Sequence, residues 1–137
     1  MPDRFVDTSG WAAWISPTER LHPIAVAAVD DTWAGGGRLV TTSFVLAELT
    51  GLLNRLRVPK PQQIETLDAI RSDPAVVAVS VAGPLEAAAW ALWAARPDKE
   101  WTVVDCASFI AMQERRLTES LTTDHHFEQA GFVRLLR

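Results

Sequence analysis

Breakers at Pro23, Gly35 to Gly37, Pro59, Pro61, Pro74, Gly83-Pro84 and Pro97 cut this chain into pieces too short to hold a second core. Between them, short apolar runs alternate with helical patterns. The runs Arg4 to Thr8, Arg38 to Thr41, Ala75 to Ser80, Glu119 to Thr122 and Phe132 to Leu135 read as strands. Parallel strands need a crossover long enough for a helix, so strand alternating with helix predicts a parallel sheet. The expectation is one three-layer α/β domain over residues 1–137.

The helical segments carry their own signals. Ser43 to Arg57 follows a capping Thr42 or Ser43, bears Val45, Leu49, Leu52, Leu53 and Leu56 on one stripe, and stops before Pro59. Pro84 to Ala95 has proline in its first turn and ends ahead of Pro97; its Trp90 and Trp93 read most simply as core. Further helices are expected at Ile24 to Trp33, Gln62 to Ser72, Asp105 to Arg116 and His125 to Ala130. Trp11 and Trp14, three apart, also read as core or dimer contacts before base-stacking groups.

A chain of 137 residues buries roughly 68% of its unfolded surface, enough for a core without staples. Its one cysteine, Cys106, cannot pair internally and reads as a small buried side chain. Met1 to Gly10 is acidic and strand-like, unlike a basic then apolar leader, and with the lone thiol this fits a reducing cytoplasm. The apolar stretch Ala87 to Ala95 falls short of the roughly 18 residues that span a bilayer, so no membrane association is expected.

Thirteen basic against seventeen acidic residues give a net charge of -4, which argues against a protein coated in nucleic acid. Four of the acids, however, stand where acids are unusual. Asp7 follows apolar Phe5-Val6 at the end of the first strand, where open parallel sheets bind ligands, or it caps the next helix. Glu48 has Phe44, Val45, Gly51 and Leu52 one helical turn away and no lysine or arginine there; buried, it needs a distant cation or a metal, and otherwise it snorkels to the surface. Asp105 follows Trp101-Thr102-Val103-Val104 and opens a helix, either as a cap or as a site residue. Asp124 repeats the layout of Asp7 after Ser120-Leu121-Thr122-Thr123.

Together these acids place three or four oxygen ligands around one strand edge, which is the chemistry of Mg²⁺ or Mn²⁺. Zinc is not expected: Cys106 stands alone, and His125 and His126 are adjacent instead of sharing a helical face. With the four acids set aside, 13 basic residues balance 13 acidic ones, and nucleic acid would meet a local patch. The basic clusters are Arg55, Arg57 and Lys60, and Arg115-Arg116; each serves as a phosphate contact or a solvated helix end.

The segments Val6-Asp7-Thr8-Ser9, Leu46-Ala47-Glu48-Leu49, Thr102-Val103-Val104-Asp105 and Leu121-Thr122-Thr123-Asp124 resemble, in order and spacing, the PIN-domain nucleases. The likeness spans nearly the whole chain and is strongest to the small toxin ribonucleases of bacterial VapBC toxin-antitoxin pairs. It implies a parallel sheet of order 3-2-1-4-5 and cleavage of RNA by metal-activated water at one or two Mg²⁺ or Mn²⁺ ions, leaving 3′-hydroxyl and 5′-phosphate ends. By motif, Asp7, Glu48, Asp105 and Asp124 become the catalytic and metal-binding acids, with Thr8, Ser9, Thr102 and Thr123 supporting them. An antitoxin partner and a homodimer are implied as well, and six tryptophans in so small a domain favour association on their own account.

Other classes fit less well. A phosphatase with an aspartyl nucleophile shows Asp-x-Asp, but Ser9 holds the third position; a phosphoacceptor switch wants a lysine at a later strand end, but Lys60 and Lys99 lie in breaker-rich segments. The alternative is a PIN-like interaction module that has lost catalysis, against which the intact set of four acids argues.

Overall fold

The computed structural model describes residues 2–137. Five strands, β1 (Arg4–Val6), β2 (Leu39–Thr42), β3 (Val76–Val79), β4 (Glu119–Leu121) and β5 (Val133–Arg134), form one parallel sheet in the order β3-β2-β1-β4-β5. Seven helices flank it: α1 (Thr8–Ile15), α2 (His22–Ala34), α3 (Ser43–Arg55), α4 (Lys60–Ser72), α5 (Gly83–Ala95), α6 (Val103–Glu114) and α7 (His126–Gln129). The strand order and layered architecture are those expected.

The chain leaves β1 towards β2 on one side and returns from α6 into β4 on the other. The C-terminal ends of β1 and β4 therefore flank the point where the winding reverses, and a crevice opens there in such sheets. Phe5 pairs with Ser120 and Val6 with Leu121, so the next residues, Asp7 and Thr122, leave the sheet side by side. Every residue of β2 is buried, and the core runs through Phe5, Val40, Leu49, Phe109, Met112 and Phe127.

Helix α1 was not among the expected helices. Thr8, Ser9 and Gly10 are weak helix formers, and the eight-residue element shows no capping side chain. Tertiary packing holds it instead: Trp11 is fully buried, with its indole N–H donating to Thr41 Oγ1 at 3.2 Å. At Gly10 a Cβ would stand 2.0 Å from the carbonyl oxygen of Leu121, so only glycine lets α1 sit this close to β4. α6 begins at Val103, two residues before the position read from sequence. Trp90 and Trp93 depart from the core assignment, being 45% and 49% exposed on α5, whereas Trp11 and Trp101 are buried. Among the described residues no helix is long and apolar enough to cross a membrane.

Candidate active site

The crevice at the β1 and β4 ends is an open cleft lined by Asp7, Thr8, Ser9, Glu48, Leu52, Thr123, Asp124 and His125. Asp7 holds the N-cap position of α1, but its side chain makes no cap hydrogen bond. Instead Oδ2 accepts from the buried hydroxyl of Thr122 at 3.0 Å. Burial drives its carboxyl up to about 7; the Thr8 N–H and the Thr122 hydroxyl partly offset this, and the charges of Asp105 and Glu48 push it further up.

Glu48 lies on an exposed stretch of α3, so the buried alternative does not hold. Its Oε1 accepts from Thr8 Oγ1 at 2.5 Å, which ties α3 to the first turn of α1. Asp105 is buried at the third position of α6, where it and Thr102 form a capping box: the Thr102 hydroxyl accepts from the Asp105 N–H at 3.1 Å, and Asp105 Oδ2 accepts from the Thr102 N–H at 2.9 Å. Thr102, then, is the cap. The same Oδ2 faces Nδ1 of His126 at 3.1 Å. Burial raises the Asp105 carboxyl, with the Thr102 N–H opposing, Asp124 adding to the rise and His126 opposing it.

Asp124 completes the set. Its Oδ1 accepts from the His126 N–H at 2.9 Å, and its Oδ2 lies 3.3 Å from His126 Nδ1. Like-charge coupling joins Asp7 to Asp105 and Glu48, and Asp105 to Asp124, so the four acids converge from four separate elements. Among the described residues no lysine or arginine pairs with any of them; the ion-pair partners of Asp105 and Asp124 are the two histidines.

Two residues that matter here were missed in the sequence. Thr122, not Thr123, touches Asp7, and it also accepts from the Asp124 N–H at 3.0 Å; Thr123 supplies its own N–H to Ser9 Oγ at 3.0 Å. His126 bridges Asp105 and Asp124, and the signal was available as a histidine two residues beyond a strand-end acid at a helix start. The adjacent histidines do converge, with ring centroids 4.7 Å apart, which removes the ground on which imidazole ligands were set aside.

The basic clusters do not line the cleft. α3 and α6 begin at its edge, and Arg115 and Arg116 follow the far end of α6; Arg55 stands one turn beyond the cleft-lining Leu52, and Arg57 lies past the end of α3. Arg115 stands ten residues beyond Asp105, about 15 Å along the axis. Lys60 begins α4 and lies in a separate groove with Ser43 and Leu46.

Comparison with known proteins agrees with this fold. Residues 4–133 match the family described as PIN domain. Two proteins of Mycobacterium tuberculosis, from strains CDC 1551 / Oshkosh and ATCC 25618 / H37Rv and each described as 23S rRNA-specific endonuclease VapC20, are 34% identical over 130 residues, 94% of this chain and 95% of theirs. The crystal structure of M. tuberculosis VapC20, a sarcin-ricin loop cleaving toxin, superposes with a TM-score of 0.80 at 30% identity, covering 97% of this chain and 98% of that one. VapBC2 from Rickettsia felis, bound to a DNA fragment from their promoter, shares the fold with a TM-score of 0.69 at 14% identity over 96% of each chain.

Proposed function

The chain belongs to the PIN-domain family, and we propose that it is a divalent-metal-dependent endoribonuclease, the toxin of a toxin-antitoxin pair. The observation that carries this reading is the convergence of Asp7, Glu48, Asp105 and Asp124 on one strand edge without a lysine or arginine partner. Gathered carboxylates repel one another and leave a charge deficit that an oxygen-preferring cation fills. The donor set fits Mg²⁺ or Mn²⁺, one ion or two, held by these four acids. Held there, such an ion would supply hydroxide near neutral pH and would offset charge developing on the phosphate and the leaving oxygen.

The chain's own groups orient that centre. Thr122 fixes Asp7 through one oxygen and the Asp124 backbone through its lone pair. Thr8 holds Glu48 across the cleft, Ser9 ties α1 to the segment after β4, and the capping box aims Asp105. Among the described residues no phenylalanine or tryptophan lines the cleft and His125 is its one aromatic ring, so base stacking is limited and RNA is selected mainly by shape and backbone. A structured loop of large-subunit ribosomal RNA, the target named for the VapC20 relatives, is the substrate class we propose. An antitoxin, a homodimeric assembly and a cytoplasmic setting complete the proposal.

The test is incubation of the protein with 23S ribosomal RNA and with a random single strand, in Mg²⁺ or Mn²⁺, followed by mapping of the ends. Discrete cuts in the ribosomal RNA bearing 3′-hydroxyl and 5′-phosphate ends, absent with Asp105→Asn, are expected. Cuts present in both samples indicate a contaminating nuclease, and intact RNA with folded, metal-loaded protein leaves an interaction module.

A further inference from the structure

One corner of the cleft is built from different atoms than the rest. The Asp124 carboxylate lies between two imidazoles, Oδ1 3.7 Å from His125 Nδ1 and Oδ2 3.3 Å from His126 Nδ1. Among the described residues, Asp124, His125 and His126 are the one group of three or more acidic, histidine or cysteine side chains whose ligand atoms all lie within 4.8 Å of one another. The four carboxylates do not meet that criterion among themselves.

His126 is held by the acids around it, but His125 faces Asp124 without a hydrogen bond. A separation of 3.7 Å is too long for a hydrogen bond. Two donors each about 2.1 Å from one tetrahedral cation stand about 3.4 Å apart, and the three ligand atoms, within 4.8 Å of one another, reach that spacing by a small turn of the exposed His125 ring. The rings converge because His125 adopts a helical backbone at the N-cap of α7, and the Asp124 carboxylate folds back onto the His126 N–H at 2.9 Å. Two nitrogens and one oxygen leave a further coordination position open to water.

We propose that Asp124, His125 and His126 form a mixed nitrogen-oxygen cation subsite, which takes Zn²⁺ or another late first-row divalent ion in preference to Mg²⁺. It rests on the reading of this cleft as a divalent-metal site. Imidazole suits zinc, copper and nickel, whereas Mg²⁺ keeps to oxygen ligands and its own waters. The His125 side chain is 65% exposed and gives the ion a way in, while the His126 ring is 15% exposed and held in place. Asp105 Oδ2 stands 3.1 Å from the same His126 nitrogen, so an ion captured there meets a second carboxylate and draws both Asp105 and Asp124 away from a Mg²⁺ ion bound among the four acids.

The experiment uses the full chain stripped of metal and needs no RNA. Calorimetric titration with Zn²⁺ under saturating Mg²⁺, and visible absorption on adding Co²⁺, are compared for wild type, His125→Ala, His126→Asn and Asp7→Asn. Wild type takes up one Zn²⁺ with Mg²⁺ present. His125→Ala, a substitution at an exposed side chain, weakens Zn²⁺ by about tenfold or more and dims the Co²⁺ bands while Mg²⁺ still raises the melting temperature. Asp7→Asn shows the reverse, a lost Mg²⁺ response with Zn²⁺ uptake retained. Zn²⁺ affinity unchanged in both histidine variants overturns the subsite, as does simple competition between Zn²⁺ and Mg²⁺ with both lost in Asp7→Asn. A wild type that ignores Mg²⁺ yet binds Zn²⁺ through His125 overturns the reading of the four acids and leaves the subsite standing.

Discussion

Asp7 stands at a helix N-terminus and declines the cap, and its energetics follow from what it does instead. Buried beside Asp105 and Glu48, its carboxyl is raised to about 7, against about 3.9 in an unfolded chain. The native state therefore holds a proton that the unfolded state has released. Without metal, this residue's contribution is fully present below pH 4 and is lost as pH rises through about 7. Metal takes the ionised form, so the rise in melting temperature with Mn²⁺ should grow from pH 5 to pH 8. Asp7→Asn keeps the shape, flattens the metal-free pH dependence and blunts the Mn²⁺ response; parallel pH curves for the two proteins would sink the assignment. Thr122 offers a second test, since its hydroxyl is buried between Asp7 and the Asp124 backbone. Thr122→Val should cost about 1–3 kcal/mol in denaturant unfolding and weaken Mn²⁺ about tenfold or more, and Thr122→Ser should restore both.

At the scale of elements, α1 places Asp7, Thr8 and Ser9, and its position depends on Gly10. A methyl group there meets the Leu121 carbonyl at 2.0 Å, a backbone atom that cannot swing aside. Gly10→Ala, otherwise favourable in a helix, should destabilise by about 1–3 kcal/mol as α1 is pushed off β4, read from the urea midpoint. Cleavage should fall further than stability, because the shift moves Asp7 and Ser9 together; unchanged stability and activity would show that α1 does not set the cleft. The same element shows where sequence patterns stop informing. The long helix α3 and the strand-end acids Asp7 and Asp124 were legible because periodicity and Pro59 marked them locally. Helix α1 was not, since its first turn is poor in helix formers and its support, Trp11 on Thr41, comes from thirty residues away. Likewise the helix expected to open at Asp105 starts two residues earlier, at Val103, because Thr102 and Asp105 form the capping box. Thr122 and His126 escaped notice because their partners, Asp7 and Asp105, are distant in sequence and set by strand register and helix packing.

On the scale of the whole molecule, charge and apolar surface are segregated. The acids gather at the cleft edge, and Arg115 and Arg116 sit at the far end of α6, about 15 Å along the axis from Asp105, so a phosphate bound there lies away from the cut. Neutralising Arg115 and Arg116 should therefore lower RNA affinity and flatten its salt dependence without moving the cleavage position; equal salt slopes for wild type and variant would remove these residues from the interface. The apolar surface lies elsewhere. Ala87 to Ala95 of α5 is an uncharged stretch, and Trp90 and Trp93 pack edge to face on it with centroids 5.6 Å apart while remaining 45% and 49% exposed. Two half-exposed indoles on one helix face form the kind of patch that marks an interaction surface in a soluble protein. A second copy of the chain is the occupant we propose, because the run Ala87 to Ala95 carries no charge and the one carboxylate bordering it, Glu86, accepts from the Trp90 indole N–H, so the face can meet itself across a twofold axis with few like charges opposed. Light scattering at micromolar concentration should report twice the 15.1 kDa chain mass. Trp90→Glu with Trp93→Glu should give a monomer by setting like charges against each other across the axis, and Trp14→Phe, on another helix, should leave the dimer mass unchanged. Wild type that stays monomeric under these conditions would assign the α5 face to a different partner and leave the chemistry of the cleft as described.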